Sequence, residues 1–285
     1  WHTPVPVATG PGGAGSRRLK ILVAEDNPTN QLVIAKLLER AGHEVRVVGD
    51  GQKALDALRS ETLDIALLDL NMPVMGGLDT ARRYLSEAGG KNPVPIVALT
   101  ADATPESRKA CENAGIKAYI TKPFETKKVL SVLHSLTTQG AISPVTDTMP
   151  QVPAAPGVKA ATPGLDEATI REIESLGPTR NFVKNLVWIF IRDSEKRIRE
   201  MEHAAERNDV KALCEAAHSL KGISGSIGAL AAMDICDRLQ QMRGKESMEV
   251  RLSLLGEVKE EIGRVRKTLL RRISTSDPVS GEGTG

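Results

Sequence analysis

LKILVAEDNPTNQLVIAKLLERAGHEVRVV, residues 19–48, decides the fold of the first half of this chain. Two short aliphatic runs, LKILVA (19–24) and HEVRVV (43–48), flank a stretch whose apolar residues recur at helical spacing over 28–41. Strand, helix and strand in that order form a βαβ unit, whose two strands run parallel. The pattern continues downstream. DIALLD (64–69), PIVALT (95–100) and KAYIT (117–121) read as three further strands, separated by candidate helices at 51–59, 77–88 and 105–114, with a last helix at 125–137. Five alternations predict an α/β doubly wound domain over 17–138, a five-stranded parallel sheet with helices on both faces.

The flanks differ in composition. Residues 1–16 lack charge and periodicity and read as a disordered leader. Five prolines and only two charged residues make 139–164 a Pro/Ala-rich linker. Beyond it strands disappear. Amphipathic helices are expected near 165–176, 179–207, 209–227, 229–243 and 247–272, with Pro178 at a helix start and Asp209 as an N-cap. Short connections between long helices imply an all-α antiparallel bundle over 165–273, followed by a polar tail, 274–285. Leu186–Ile191, apolar nearly all round, is expected in its core.

With 285 residues, 40% hydrophobic but only 2% aromatic, the chain has room for two domains with aliphatic cores. No apolar run approaches the roughly 18–20 residues of a membrane span, and no secretory signal is visible, so a cytoplasmic location is expected, whether or not the parent protein is membrane-anchored. Three scattered cysteines (Cys111, Cys214, Cys236) suit neither a disulfide framework nor a zinc site. A net charge of +2 with few aromatics argues against nucleic acid as a partner. The start at Trp1 rather than Met leads us to expect a piece of a longer chain or a processed product.

Chemistry concentrates at the strand ends. Glu25 and Asp26 follow the first strand and Asp69 ends the third, so three acids converge where a parallel sheet binds its ligands. Crowded carboxylates repel, and a hard cation such as Mg²⁺ relieves that repulsion. For Asp26 alone, before Asn27-Pro28, a helix-capping role is the simpler reading. Thr100 ends the fourth strand and Lys122 follows the fifth, before Pro123, a pair whose peptide bond is a candidate for the cis form. A hydroxyl, an ammonium and a cation site around Asp69 are what a phosphoryl group on that carboxylate requires.

The segments VAEDN (23–27), LLDLNMPVMGG (67–77), VALTAD (97–102) and TKPF (121–124) resemble the response-regulator receiver family. The resemblance implies a flavodoxin-like sheet, Asp69 as phospho-acceptor, and Glu25 and Asp26 as Mg²⁺ ligands together with the main-chain carbonyl of Asn71. It further implies Thr100 as switch hydroxyl, Lys122 as phosphate contact and Tyr119 as the aromatic that changes rotamer on phosphorylation; a plain half-buried strand aromatic is the alternative for Tyr119.

In the second domain, AAHSLKGISGSIGA (216–229) sets Lys221, Gly222 and Gly225 on the helix face of His218. Glycine costs about 1 kcal/mol in a helix, so Gly222, Gly225 and Gly228 need a compensating purpose, such as close approach of another protein's backbone. For Gly228, helix packing is an adequate explanation. His2, His43, His134 and His203 have no such neighbours and read as ordinary histidines. The motif resembles the histidine phosphotransfer (HPt) family, which implies a four-helix bundle and His218 as the phosphorylated nucleophile, through Nε2. Lys221 and Ser224 would support ring and phosphate, and Gly222 and Gly225 would permit docking.

An aspartyl and a histidyl acceptor in one chain predict a phosphorelay, with Mg²⁺-dependent transfer between Asp69 and His218 or a kinase histidine. No ATP-binding kinase motif is visible, so the resemblance points to the C-terminal part of a hybrid sensor histidine kinase. The expected partners are a histidine kinase domain, in the same parent or separate, and a downstream receiver docking on His218. A phosphorylation-regulated binding module and a free-standing relay protein are the alternatives.

Overall fold

A computed structural model of the chain describes residues 17–89, 93–101, 104–138, 164–177, 180–242 and 247–275. The expected leader, nearly all of the linker and tail, and Pro178 lie outside these residues.

Strands β1 (Lys20–Ala24), β2 (Glu44–Val48), β3 (Ile65–Asp69), β4 (Ile96–Thr100) and β5 (Ala118–Thr121) form one parallel sheet in the order β2-β1-β3-β4-β5. Helices α1 (Pro28–Arg40), α2 (Gly51–Ser60), α3 (Gly77–Ala88), α4 (Pro105–Asn113) and α5 (Thr126–Thr138) alternate with them, as the sequence pattern predicts. The central strands are apolar throughout because both faces are covered. Alternate residues serve opposite layers. Ile21, Val23, Leu67, Val97 and Leu99 pack toward α1 and α5. Leu22, Ala24, Ala66, Leu68 and Ala98 pack toward α2, α3 and α4. The chain leaves β1 toward one sheet edge and β3 toward the other, which opens a crevice at their carboxyl ends.

Five helices follow: α6 (Glu167–Leu176), α7 (Arg180–Glu206), α8 (Val210–Ser226), α9 (Leu230–Gln240) and α10 (Met248–Thr275). α8 packs between α7 and α9, and α10 closes the ring against both, giving the expected four-helix bundle, with α6 an addition. Asn208 turns the chain with a left-handed φ of 54°, and Asp209 caps α8 by accepting from the Ala212 amide at 3.0 Å.

Three expectations change. α8 stops at Ser226, so Gly228 lies in the following turn at φ +76°, and only Gly222 and Gly225 are helical glycines. α9 ends at Gln240, short of the expected 243. Leu186, Val187, Phe190 and Ile191 are buried, but Trp188 between them is 58% exposed, because the helix has a solvent face at that position.

α1 packs against α6, α7 and α8, and the sheet layer behind α1 is continuous with the bundle core. The two domains are thus docked on each other through α1. No helix among the described residues is long and apolar enough to cross a membrane.

Candidate functional site

The crevice collects the acids named above. Asn27, not Asp26, caps α1: its side chain accepts from the Asn30 amide at 3.1 Å, with Pro28 beginning the helix. The capping role considered for Asp26 is therefore filled by its neighbour. Glu25, Asp26 and Asp69 each bring a carboxylate oxygen within 4.8 Å of the others. The loop after β3 holds Asp69 in place through close backbone contact. A Cβ on Gly77 would lie 2.3 Å from the Asp69 carbonyl oxygen, so only glycine fits.

Lys122 enters from beyond β5. Its amide donates to the Thr100 carbonyl at 2.8 Å, and the Lys122–Pro123 peptide is cis. Its ammonium lies 2.6 Å from Glu25 Oε2 and 2.7 Å from Asp69 Oδ2, with all three side chains buried. Burial, with Asp69 beside it, pushes the Glu25 carboxyl up to about 8 against the pull of Lys122. Burial would lower the Lys122 ammonium, but Glu25 and Asp69 outweigh it and hold the charge above its ordinary range. Asp26 is raised by burial and by Asp69, and Arg197 opposes the shift.

Thr100 is buried at the end of β4, beside the cluster. Tyr119 is buried rather than half-buried, its ring 5.3 Å from the Arg108 guanidinium. Its hydroxyl has no hydrogen-bond partner among the described residues.

His218, from α8, meets this crevice. Its Nδ1 lies 2.9 Å from Gln240 Oε1 and its Nε2 lies 2.8 Å from Asn71 Nδ2. The Gln240 oxygen can only accept and the Asn71 amide nitrogen can only donate. Both contacts therefore require the same neutral tautomer, with the proton on Nδ1 and the lone pair of Nε2 directed at the receiver loop. Gln240 is oriented in turn, since its Nε2 donates to the Cys236 carbonyl at 3.3 Å.

Lys221 is buried and its ammonium donates to Asp237 at 2.6 Å. Ser224 is fully buried inside the bundle, its hydroxyl without a hydrogen-bond partner among the described residues, so it does not support the ring. The serine that reaches the crevice is Ser226, donating to Asn30 Oδ1 at 2.6 Å. Gly222 faces Asn30 and Lys122, and Gly225 faces Pro123 and Met233. The close approach expected of another protein is made here by the chain's own first domain.

Further contacts surround the junction. Thr29 Oγ1 donates to the buried Asp193 carboxylate at 3.2 Å, and Arg197 Nη2 lies 3.6 Å from Asp26 Oδ2. Sequence reading missed Gln240, Ser226, Asn30, Asp193, Arg197 and the side-chain role of Asn71. Most of these pairings join residues on elements far apart in the chain, so no local spacing announces them.

The residues present suit a divalent cation. Three carboxylates converge, and carboxylate oxygens accept more than one partner, so Glu25 Oε2, paired with the Lys122 ammonium at 2.6 Å, still has a lone pair to offer a metal.

The response regulator receiver domain family matches residues 21–134, and the Hpt domain family matches residues 185–268. The sensory/regulatory protein RpfC of Xanthomonas campestris pv. campestris is 32% identical over 85% of this chain and 33% of its own length. The sensor histidine kinase GacS of Pseudomonas protegens is 27% identical over 88% of this chain and 27% of its own length. The chain thus spans between a quarter and a third of the length of these curated relatives. Among solved structures, the receiver domain of a Pseudomonas aeruginosa sensor histidine kinase, with magnesium coordinated in its active-site cleft, is 35% identical. It covers 42% of this chain and 98% of its own, with a TM-score of 0.39. A chain from the co-crystal of Saccharomyces cerevisiae Ypd1 with the receiver domain of Ssk1 is 25% identical, covering 42% of this chain and 88% of its own, with a TM-score of 0.40.

Proposed function

Because this chain joins a member of the response regulator receiver family to a member of the Hpt family, we propose that it is a phosphorelay module passing a phosphoryl group between Asp69 and its own His218. The observation that carries this reading is the docked pair: His218 Nε2 lies against Asn71, two residues from Asp69, in the tautomer a nucleophile needs.

In transfer from Asp69, the Nε2 lone pair attacks phosphorus, the bond to the Asp69 carboxylate oxygen breaks, and the carboxylate leaves with its electron pair. Positive charge grows on the imidazole as the new bond forms. Gln240 Oε1, accepting from Nδ1, stabilises that charge and prevents the ring from turning. Lys122 balances charge on the aspartyl side, within reach of Asp69 Oδ2 at 2.7 Å. The Asn71 amide must give way to the phosphoryl group, so in the resting state it caps the nucleophile. Thr100 is read as the switch hydroxyl and Tyr119 as the aromatic that responds to it. Mg²⁺, held by Glu25, Asp26, Asp69 and the Asn71 carbonyl, would neutralise phosphoryl oxygens when bound.

The module fits the C-terminal part of a hybrid histidine kinase on the cytoplasmic side of a membrane. A kinase histidine would supply Asp69, and a second receiver would draw from His218. The domain limits proposed are 17–138 and 165–273.

The test is labelling of the full chain by a small acyl phosphate with Mg²⁺. Wild type should acquire acid-labile, base-stable phosphate on His218, Asp69→Asn should acquire none, and His218→Gln should retain only base-labile label. Wild-type label confined to Asp69 would overturn transfer within the chain.

A further inference from the structure

The three carboxylates carry more negative charge than Lys122 alone can balance, and part of the compensation comes from the second domain. Lys122 spans Glu25 and Asp69. Asp26 is left to Arg197 of α7, at 3.6 Å, with both side chains 19% exposed. A second thread reaches Glu25. Ser226 donates to Asn30 Oδ1 at 2.6 Å, and Asn30 Nδ2 donates to Glu25 Oε1 at 2.9 Å. Docking of the helical domain is therefore felt at two of the three carboxylates.

We propose that HPt docking and divalent-cation binding at this cluster are linked in opposition, with Arg197 as the competing cation. The inference rests on reading the cluster as a Mg²⁺ site. A divalent ion taking an Asp26 oxygen meets a guanidinium at the same carboxylate. In a partly desolvated crevice such like charges repel appreciably. Each ligand of the cluster then weakens the other, and by linkage the effect is reciprocal. The cation binds better when the HPt domain is displaced, and the bound cation loosens the HPt domain, exposing His218 to another receiver.

Two features make the exchange feasible without complete separation. Arg197 Nη1 already lies 2.8 Å from Glu200 Oε2 on its own helix, so it can release Asp26 without being left unpaired. A cavity of about 680 Å³, lined by Asp26, Asn71, Arg197 and His218 among others, runs along this part of the junction and has room for a hydrated ion. Arg197 is thus a positioning residue with two alternative partners.

Calorimetric titration of Mg²⁺ into the full chain, at fixed ionic strength and without phosphodonor, tests the linkage. Arg197→Gln should bind Mg²⁺ at least about fivefold more tightly than wild type, while Arg197→Lys stays close to wild type. Glu200→Gln removes the alternative partner, leaves Arg197 on Asp26, and should weaken Mg²⁺ binding. Equal affinities for wild type and Arg197→Gln, or tighter binding by Glu200→Gln, would overturn the linkage. No Mg²⁺ binding by wild type would instead remove the metal reading on which it rests. Circular dichroism melting verifies that each variant is folded.

Discussion

In the proposed relay, His218 depends on a neighbour that its own helix does not contain. Gln240 lies 22 positions further on, and only the pairing of α8 with α9 brings its oxygen to Nδ1. Without that acceptor the ring samples both tautomers and several orientations. Gln240→Leu, which keeps the bulk but removes the acceptor, should slow Asp69–His218 transfer by on the order of tenfold, the worth of one hydrogen bond. Rapid-quench measurement of label transfer would detect this, with the melting temperature near wild type. The acids, in contrast, were legible. Glu25, Asp26 and Asp69 stand at strand ends, and a parallel sheet brings such ends together whatever the side chains are. The motif resemblance implies Ser224 in the phosphate environment. Helical geometry turns it into the bundle instead, and Ser226 reaches the crevice.

Among elements, the five strands and the helices between them were readable because each carries a local signal: apolar runs for the central strands buried on both faces, alternation of polar and apolar residues in the edge strand β2, and helical spacing for the layers. Helix ends were less so. α8 stops before Gly228 because a left-handed residue there accommodates the close approach of α6, a tertiary demand. The same helix shows how closely the receiver approaches Gly222. A Cβ at Gly222 would meet Asn30 at 3.6 Å and Lys122 at 3.7 Å, ordinary contact distances. Gly222→Ala should therefore dock and transfer nearly normally. Gly222→Leu has no room between α8 and the receiver, and a displacement of about 1 Å can cost on the order of a hundredfold in transfer rate. Its helix content should be kept, since glycine is the poorer helix former. Loss of cis transfer with an unchanged far-UV spectrum is the expected pair of results.

Across the whole molecule, the aliphatic core on one side of the sheet runs through α1 into the bundle, so the second domain sits on the first rather than hanging from it. Polar pairs define the register of that contact. Thr29 is fully buried and donates to the buried Asp193 carboxylate. Thr29→Val removes the donor at nearly constant volume and leaves the buried carboxylate short of a partner, so it should cost docking about 2 kcal/mol, read as faster hydrogen exchange along α1 and α7 with each domain's core protection unchanged. The amino-acid sequence by itself determined the two fold classes and the acidic crevice around Asp69, and it marked His218 as the candidate nucleophile, because these depend on local periodicity and on residues at predictable positions of elements. The tertiary structure alone decided that His218 faces the loop after Asp69, with Gln240 behind its ring, and that Arg197 sits against Asp26. Those properties arise where elements distant in sequence meet, and no local pattern encodes such a meeting.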